Sequence, residues 1–262
     1  DDYLALQRVS GLAVSADGTR IVVTVAELNP AGTEYVTAIW DVDPSGGRPA
    51  RRLTRGAKGE SSPAFTTDGA LWFLASRPTA DDDKPPAALW RLPHGGGEAE
   101  QMLALPGGVT SVRSARDAAT VIVAGPLLPS AGGTDGSLDT DRRLRALRKD
   151  ATITAVLHSG YPVRYWDHDL GPDEPHLFAA NGPRDLTPDP GSALRETQYD
   201  VAADGSFVVA SWRLPGAGAS VRSVLVRIDV ATGDRVVIAD DPDADLDHPV
   251  ISPDGSRVAF LR

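Results

Sequence analysis

Ser15-Ala16-Asp17-Gly18-Thr19-Arg20-Ile21-Val22-Val23 is a turn running into an apolar strand, and the chain uses it more than once. It recurs as Thr66-Thr67-Asp68-Gly69-Ala70-Leu71-Trp72-Phe73, as Ala202-Ala203-Asp204-Gly205-Ser206-Phe207-Val208-Val209, and as Ser252-Pro253-Asp254-Gly255-Ser256-Arg257-Val258-Ala259-Phe260. Ser114-Ala115-Arg116-Asp117-Ala118-Ala119-Thr120-Val121-Ile122-Val123 is a decayed copy without its glycine. Asp-Gly supplies the positive φ angles of a tight turn, and the hydroxyl or small residue before it can cap it. The apolar residues that follow predict a buried strand.

The aspartates stand at 17, 68, 117, 204 and 254, with gaps of 51, 49, 87 and 50 residues. Three gaps agree on a period near 50, and one contains an insertion. Each unit carries further strands: Tyr35 to Val42 and Ala50 to Thr54 in the first, Ser223 to Val230 and Arg235 to Ala239 in the fourth. Four strands in a repeat of roughly 40 to 50 residues is the signature of a β-propeller blade. The expected fold is therefore all-β, a propeller of four-stranded antiparallel blades of the WD40-like or TolB-like kind, occupying 1–262. Blades are expected to begin near residues 9, 61, 108, 198 and 248. The fifth holds only two strands by Arg262, so the propeller is expected to be incomplete, with further chain following.

The irregular region at about 126–187 is the expected insertion. Ser130 to Ser137 reads as a Gly-rich loop. Leu138 to Asp150 predicts a short helix with Asp139 or Thr140 as N-cap, basic residues toward its end, and Leu144 and Leu147 on one face. Tyr161 to Leu170 follows as a loop rich in binding groups, then Pro175 to Ala180 as a strand. Long loops on rigid scaffolds often carry binding residues, and Arg164, Trp166 and His168 are the candidate substrate-facing residues of this one. The plainer reading makes Trp166 and Tyr165 anchors of the insertion on its blade.

Catalytic patterns are missing from the sequence. There is no Gly-x-Ser-x-Gly elbow, and the histidines at 94, 158, 168, 176 and 248 form no H-E-x-x-H pair. The alternating aspartates 241, 243, 245 and 247 lack the glycine and glutamate of a calcium loop, having Leu246 and Ser252 instead. Asp81-Asp82-Asp83 reads as a hairpin tip. The expectation is no catalytic residue, no metal site and no cofactor. A formal charge of -10 argues against nucleic acid and anionic membranes as partners. No apolar run reaches the roughly 18 residues that span a bilayer. The chain has no cysteine, which removes disulfides and thiolate zinc sites and suits the cytoplasm, with export after signal removal as the alternative.

The opening, Leu4-Ala5-Leu6-Gln7-Arg8-Val9-Ser10-Gly11-Leu12-Ala13-Val14-Ser15-Ala16-Asp17-Gly18, resembles the start of the propeller in prolyl-oligopeptidase-family (S9) serine peptidases. Arg164-Tyr165-Trp166-Asp167-His168 with His176-Leu177-Phe178 is similar to an insertion in the acylaminoacyl-peptidase and dipeptidyl-aminopeptidase branch. The resemblance implies a non-catalytic, substrate-gating propeller beside a C-terminal α/β-hydrolase domain in cis, which carries a Ser-Asp-His triad and hydrolyses short peptides. It transfers no catalytic residue to this segment, and homo-oligomerisation is left open. Two rivals stand beside it. One is a TolB-like interaction module; the other is a propeller enzyme with its chemistry in a central channel.

Overall fold

The computed structural model describes residues 2–79, 82–129, 137–156, 158 and 162–262. The chain divides into two compact units, residues 1–121 and 122–262, and the division falls inside the third repeat.

A short helix, α1 (Asp2–Ala5), precedes the first repeat: β1 (Arg8–Val14), β2 (Ile21–Leu28), β3 (Tyr35–Val42) and β4 (Arg51–Arg52). They form an antiparallel meander in the order β1-β2-β3-β4. The second repeat does the same with β5 (Glu60–Phe65), β6 (Leu71–Ala75), β7 (Ala88–Leu92) and β8 (Glu100–Leu103). The first unit closes with β9 (Ser111–Ser114), which lies against β5, as β5 lies against β1.

The two sheets bury a shared core of Val22, Ile39, Phe65, Leu71 and Phe73, with Leu53 and Trp90 packed on it. All five residues of β6 are buried, so Leu-Trp-Phe-Leu-Ala shows no apolar–polar alternation. A strand covered on both faces reads as a continuous apolar run. Phe73 is fully buried, which stabilises by about 2–3 kcal/mol relative to exposure.

In the second unit, β10 (Val121–Leu127), α2 (Ser137–Asp150), β11 (Arg164–Tyr165), β12 (His168–Asp169), β13 (Glu174–Ala179) and β14 (Arg184–Asp185) follow one another. β13 pairs with β10 on one side and with β14 on the other. Residues 174–185 therefore belong to the third repeat as its third and fourth strands. The insertion is nested between strands β10 and β13 and is shorter than the expected 126–187. The cause is pairing at a distance: Leu127 finds Glu174 across the intervening helix and hairpin.

The fourth repeat is the meander of β15 (Tyr199–Val201), β16 (Phe207–Pro215), β17 (Val221–Asp229) and β18 (Arg235–Ala239), followed by the hairpin β19 (Asp247–Ile251) and β20 (Val258–Leu261). Leu225, Val209, Leu246 and Ile251 pack between them.

The Asp-Gly turns form with a different division of labour from the one expected. Gly18, Gly69, Gly205 and Gly255 have φ near +70°, but none of the preceding aspartates is left-handed. Each glycine N–H instead donates to the carbonyl three residues back, for example Gly18 to Ser15 at 2.8 Å. The aspartate acts through its side chain: Ser15 Oγ donates to Asp17 at 2.5 Å, and Thr66 and Ser252 do the same to Asp68 and Asp254.

A second repeated device sits at the end of the fourth strand. Leu53 N–H donates to Ile39 and the Ile39 amide donates to Thr54 Oγ1 at 2.9 Å. Leu186 and Thr187 hold Leu177 in the same way. The Leu-Thr pair thus extends the outer strand by side-chain bonding where the ladder proper stops.

Candidate functional site

A groove of about 730 Å3 runs along β1, β5 and β9 in the first unit. Its walls carry the hydroxyls of Ser10, Thr24, Thr37, Ser61 and Ser114, apolar side chains such as Leu12 and Phe65, and two arginines, Arg113 and Arg116. No aspartate or glutamate lines it. The charges on its wall are those of Arg113 and Arg116, and the Arg116 charge is neutralised by Asp117 beside it.

Its shape depends on a bulge in the first strand of the repeat. Gly11 is left-handed at φ +57° where the β1–β2 register shifts, and Ser62 is left-handed at φ +53° where β5–β6 shifts. His248, in β19, repeats this at φ +53°. All three stand six residues before their Asp-Gly aspartate, a period not visible in residue type. A Cβ at Gly11 would lie 2.9 Å from Thr24 Oγ1. Thr24 is 2% exposed, and its hydroxyl has no hydrogen-bond partner.

Arg113 and Arg116 differ in their commitments. Arg116 forms a two-pronged pair with Asp117 at 2.7 and 2.9 Å, which lowers the Asp117 pKa. Arg113 donates to the Val112 carbonyl at 3.1 Å. Aligned on the turn aspartates, Arg113 takes the place of Ala13 and Ala64 in the other first strands of this unit. Reading the repeats against one another would have shown this departure; reading each motif alone did not.

The candidates Arg164, Trp166 and His168 lie on the β11–β12 hairpin of the second unit. Trp166 is 97% exposed at the tip, with φ +46°. A bulky residue in that region is strained. Arg164 holds the tip, donating to the carbonyls of Trp166 at 3.2 Å and Asp167 at 3.4 Å, and faces Asp169 at 3.6 Å. His168 pairs with Tyr165 through the backbone, and its side chain lies outside the described residues. Ala80, Asp81 and residues 130–136, 157 and 159–161 also lie outside them, and with them most of the loop read over Ser130 to Ser137, part of the tip read at Asp81 to Asp83, and Tyr161.

The α2 helix is anchored by charge, not by the expected apolar face. Leu147 is exposed, whereas Asp141 is fully buried and accepts from Leu128 N–H at 2.9 Å and Arg145 Nε at 2.7 Å. Arg145 also reaches Asp173 at 2.6 Å. Burial works against the Arg145 charge, but the two carboxylates outweigh it and keep its pKa above the ordinary value. His176, on β13, is 2% exposed and paired to Asp185 at 2.8 Å, with Phe178 stacked beside it. His94 faces the Gly69 carbonyl, and His248 lies 3.5 Å from Asp247. Among the described residues no three acidic or histidine side chains come together as a metal group. The aspartates of 241–247 serve the backbone and Arg262: Asp241 accepts from Arg262 and Asp245 from Ser223 N–H. No helix of the described residues is long and apolar enough to cross a membrane.

No family model matches the sequence, and no curated protein matches it either. Solved structures do match the fold. An acylaminoacyl peptidase of Pyrococcus horikoshii superposes over 98% of this chain and 35% of its own, at TM-score 0.63 and 12% identity. TolB of Acinetobacter baumannii matches over 96% of this chain and 48% of its own, at TM-score 0.53 and 17% identity. The fold is a β-propeller. An oligogalacturonate lyase of Vibrio parahaemolyticus shares the likeness, over 97% of this chain and 62% of its own, at TM-score 0.57 and 12% identity. The chain thus spans about a third of the peptidase and about half of TolB. At these identities the likeness concerns the propeller fold alone, and the three names describe different activities on it.

Proposed function

We propose that this chain is the non-catalytic, substrate-gating propeller of a serine-type oligopeptidase of the acylaminoacyl-peptidase kind, working beside an α/β-hydrolase domain in cis. The observation that carries the reading is the extent of the likeness to the Pyrococcus horikoshii peptidase: nearly all of this chain, but only 35% of that one. The sequence resemblance of residues 4–18 and 164–178 to the same family supports it.

In this reading the propeller does no bond chemistry. It is a rigid wall that admits short peptides and excludes folded proteins. The hairpin that Arg164 braces presents Trp166 as an apolar surface for a substrate side chain, and His168 stands on the same hairpin. The partner domain would supply the nucleophilic serine, its histidine base and the oxyanion hole.

The test uses the natural protein that carries residues 1–262, captured from its host. Labelling by a fluorophosphonate probe, with hydrolysis of an N-acylated dipeptide and no hydrolysis of casein, supports the proposal. No labelling, with stable capture of another protein instead, favours the TolB-like interaction module. The likeness to TolB over 96% of the chain keeps that second reading in view.

A further inference from the structure

The bulged first strands of the repeats differ in one donor. The left-handed residue of the bulge is followed by Pro63 in β5 and by Pro249 in β19, but by Leu12 in β1. We propose that the open edge of β1 takes up an uncharged, extended peptide as an additional strand, with Leu12 N–H donating to it and the Thr24 hydroxyl meeting its main chain beside Gly11. This site goes beyond the gating role and does not rest on it.

The ladder shows which way Leu12 turns its polar groups. Among the described residues β1 pairs with β2 alone and stands at the end of its sheet. Ser15 N–H donates to the Arg20 carbonyl, and bonded pairs alternate with unbonded ones in an antiparallel ladder. Ala13 is therefore bonded to Val22, while Leu12 and Val14 turn their N–H and C=O groups away from β2. Proline lacks that donor, and proteins use it to blunt a strand edge. Pro63 and Pro249 blunt theirs, and Leu12 leaves β1 open.

The same edge is exposed and follows the groove. Residues 10–16 line it without a break. Leu12 is 68% exposed and Val14 49%, whereas Phe65, which aligns with Val14 on the turn aspartates, is 7% exposed. A peptide strand laid on this edge covers both apolar side chains while its main chain takes the open donors and acceptors.

Thr24 supports the site independently. Its hydroxyl lines the groove, buried and without a partner among the described residues, and such a group costs free energy until it is paired. Gly11 leaves open the space beside it, where a Cβ would lie at 2.9 Å. Recognition falls to uncharged groups: no acid lines the groove, Arg116 is paired with Asp117, and Arg113 is engaged within the protein.

The experiment uses the natural protein that carries residues 1–262, after fluorophosphonate treatment, so that any serine hydrolase in it is silent and the probes stay intact. Calorimetry would compare N-acetyl-Ala-Val-Ala-Val-amide with two isomers N-methylated on alternate residues, the first and third or the second and fourth. Alternate N–H groups of a strand face opposite edges, so one isomer should bind within about twofold of the parent peptide and the other about tenfold more weakly. Leu12→Pro restores the residue that the other two bulged strands already carry after a left-handed neighbour, so it should leave the unfolding transition in place and weaken the parent peptide about tenfold. Leu12→Ala keeps the donor and should lose less. Thr24→Val should weaken the peptide several-fold without lowering the urea midpoint. Equal binding of both isomers, no binding at millimolar concentration, or an affinity that survives both Leu12→Pro and Thr24→Val would overturn the proposal. Binding of maltotriose in place of the peptides would overturn it as well and give the groove to a saccharide. Fluorophosphonate labelling alone decides the peptidase reading, and peptide binding is measured whether or not the protein labels.

Discussion

Thr54 Oγ1 donates to the buried carboxylate of Glu60 at 3.0 Å while it accepts the Ile39 amide at 2.9 Å, so one hydroxyl joins β3 of the first repeat to the start of the second. Glu60 is 1% exposed and also accepts from Gly56 N–H. Replacing the hydroxyl leaves an amide and a carboxylate both short of a partner in the interior. Thr54→Val should therefore destabilise by about 2–3 kcal/mol, read as a drop in the urea midpoint at unchanged slope. Thr187→Val removes only the bond to the Leu177 amide and the long contact to Asp185, and should cost less.

The turn aspartates make a prediction about acid. Hydroxyl bonds from Ser15, Thr66 and Ser252 hold Asp17, Asp68 and Asp254 at about 2, against an ordinary value of 3.8. A carboxyl depressed in the folded state contributes stability that is fully present above its unfolded pKa and is lost as pH falls through the folded one. The loss should thus run from about pH 4 to about pH 2. Replacing the three with asparagine should flatten that limb of the stability-versus-pH curve. An unchanged acid limb would show that other carboxylates dominate. Asp204, which has Ala202 where the others have a hydroxyl, is lowered mainly by the Ser206 amide.

Asp141 and Arg145 offer a sharper test of the insertion. Asp141→Ala takes one of two carboxylates from Arg145, which keeps Asp173, and leaves the Leu128 amide without its acceptor. Leaving that buried amide unsatisfied costs about 1–3 kcal/mol. Hydrogen exchange should show faster opening of residues 137–150 than of β16 and β17, because α2 offers little apolar burial to replace the lost charge contacts.

Trp166→Ala separates recognition from stability. The side chain is exposed and alanine keeps the same Cβ at the positive φ, so the substitution should leave stability within about 0.5 kcal/mol. If the hairpin meets substrate, KM for short N-acylated peptides should rise several-fold with kcat little changed. An unchanged KM would remove Trp166 from the substrate-facing surface.

Much of the architecture was readable because the interactions that encode it are short in sequence. Ser15, Asp17 and Gly18 bond to one another within a few residues, and the strand that follows each such turn is apolar by composition. The α2 helix was visible from its own span. The bounds of the insertion were not, since β10 and β13 meet over nearly 50 residues of chain. The nature of the helix anchor was equally hidden: Asp141 looks like a solvent-facing helical acid until Leu128 and Arg145 close over it.

By itself, then, the sequence determined the repeat, its turn chemistry and the four-strand period, because φ preferences and hydroxyl–carboxylate bonds act locally. Tertiary structure alone decided which polar groups lost their water. Thr24, Glu60, Asp141 and His176 are ordinary residues in the chain, and each becomes informative only where distant strands remove solvent from it. Desolvation depends on everything packed around a group, so no neighbouring residue in the sequence announces it.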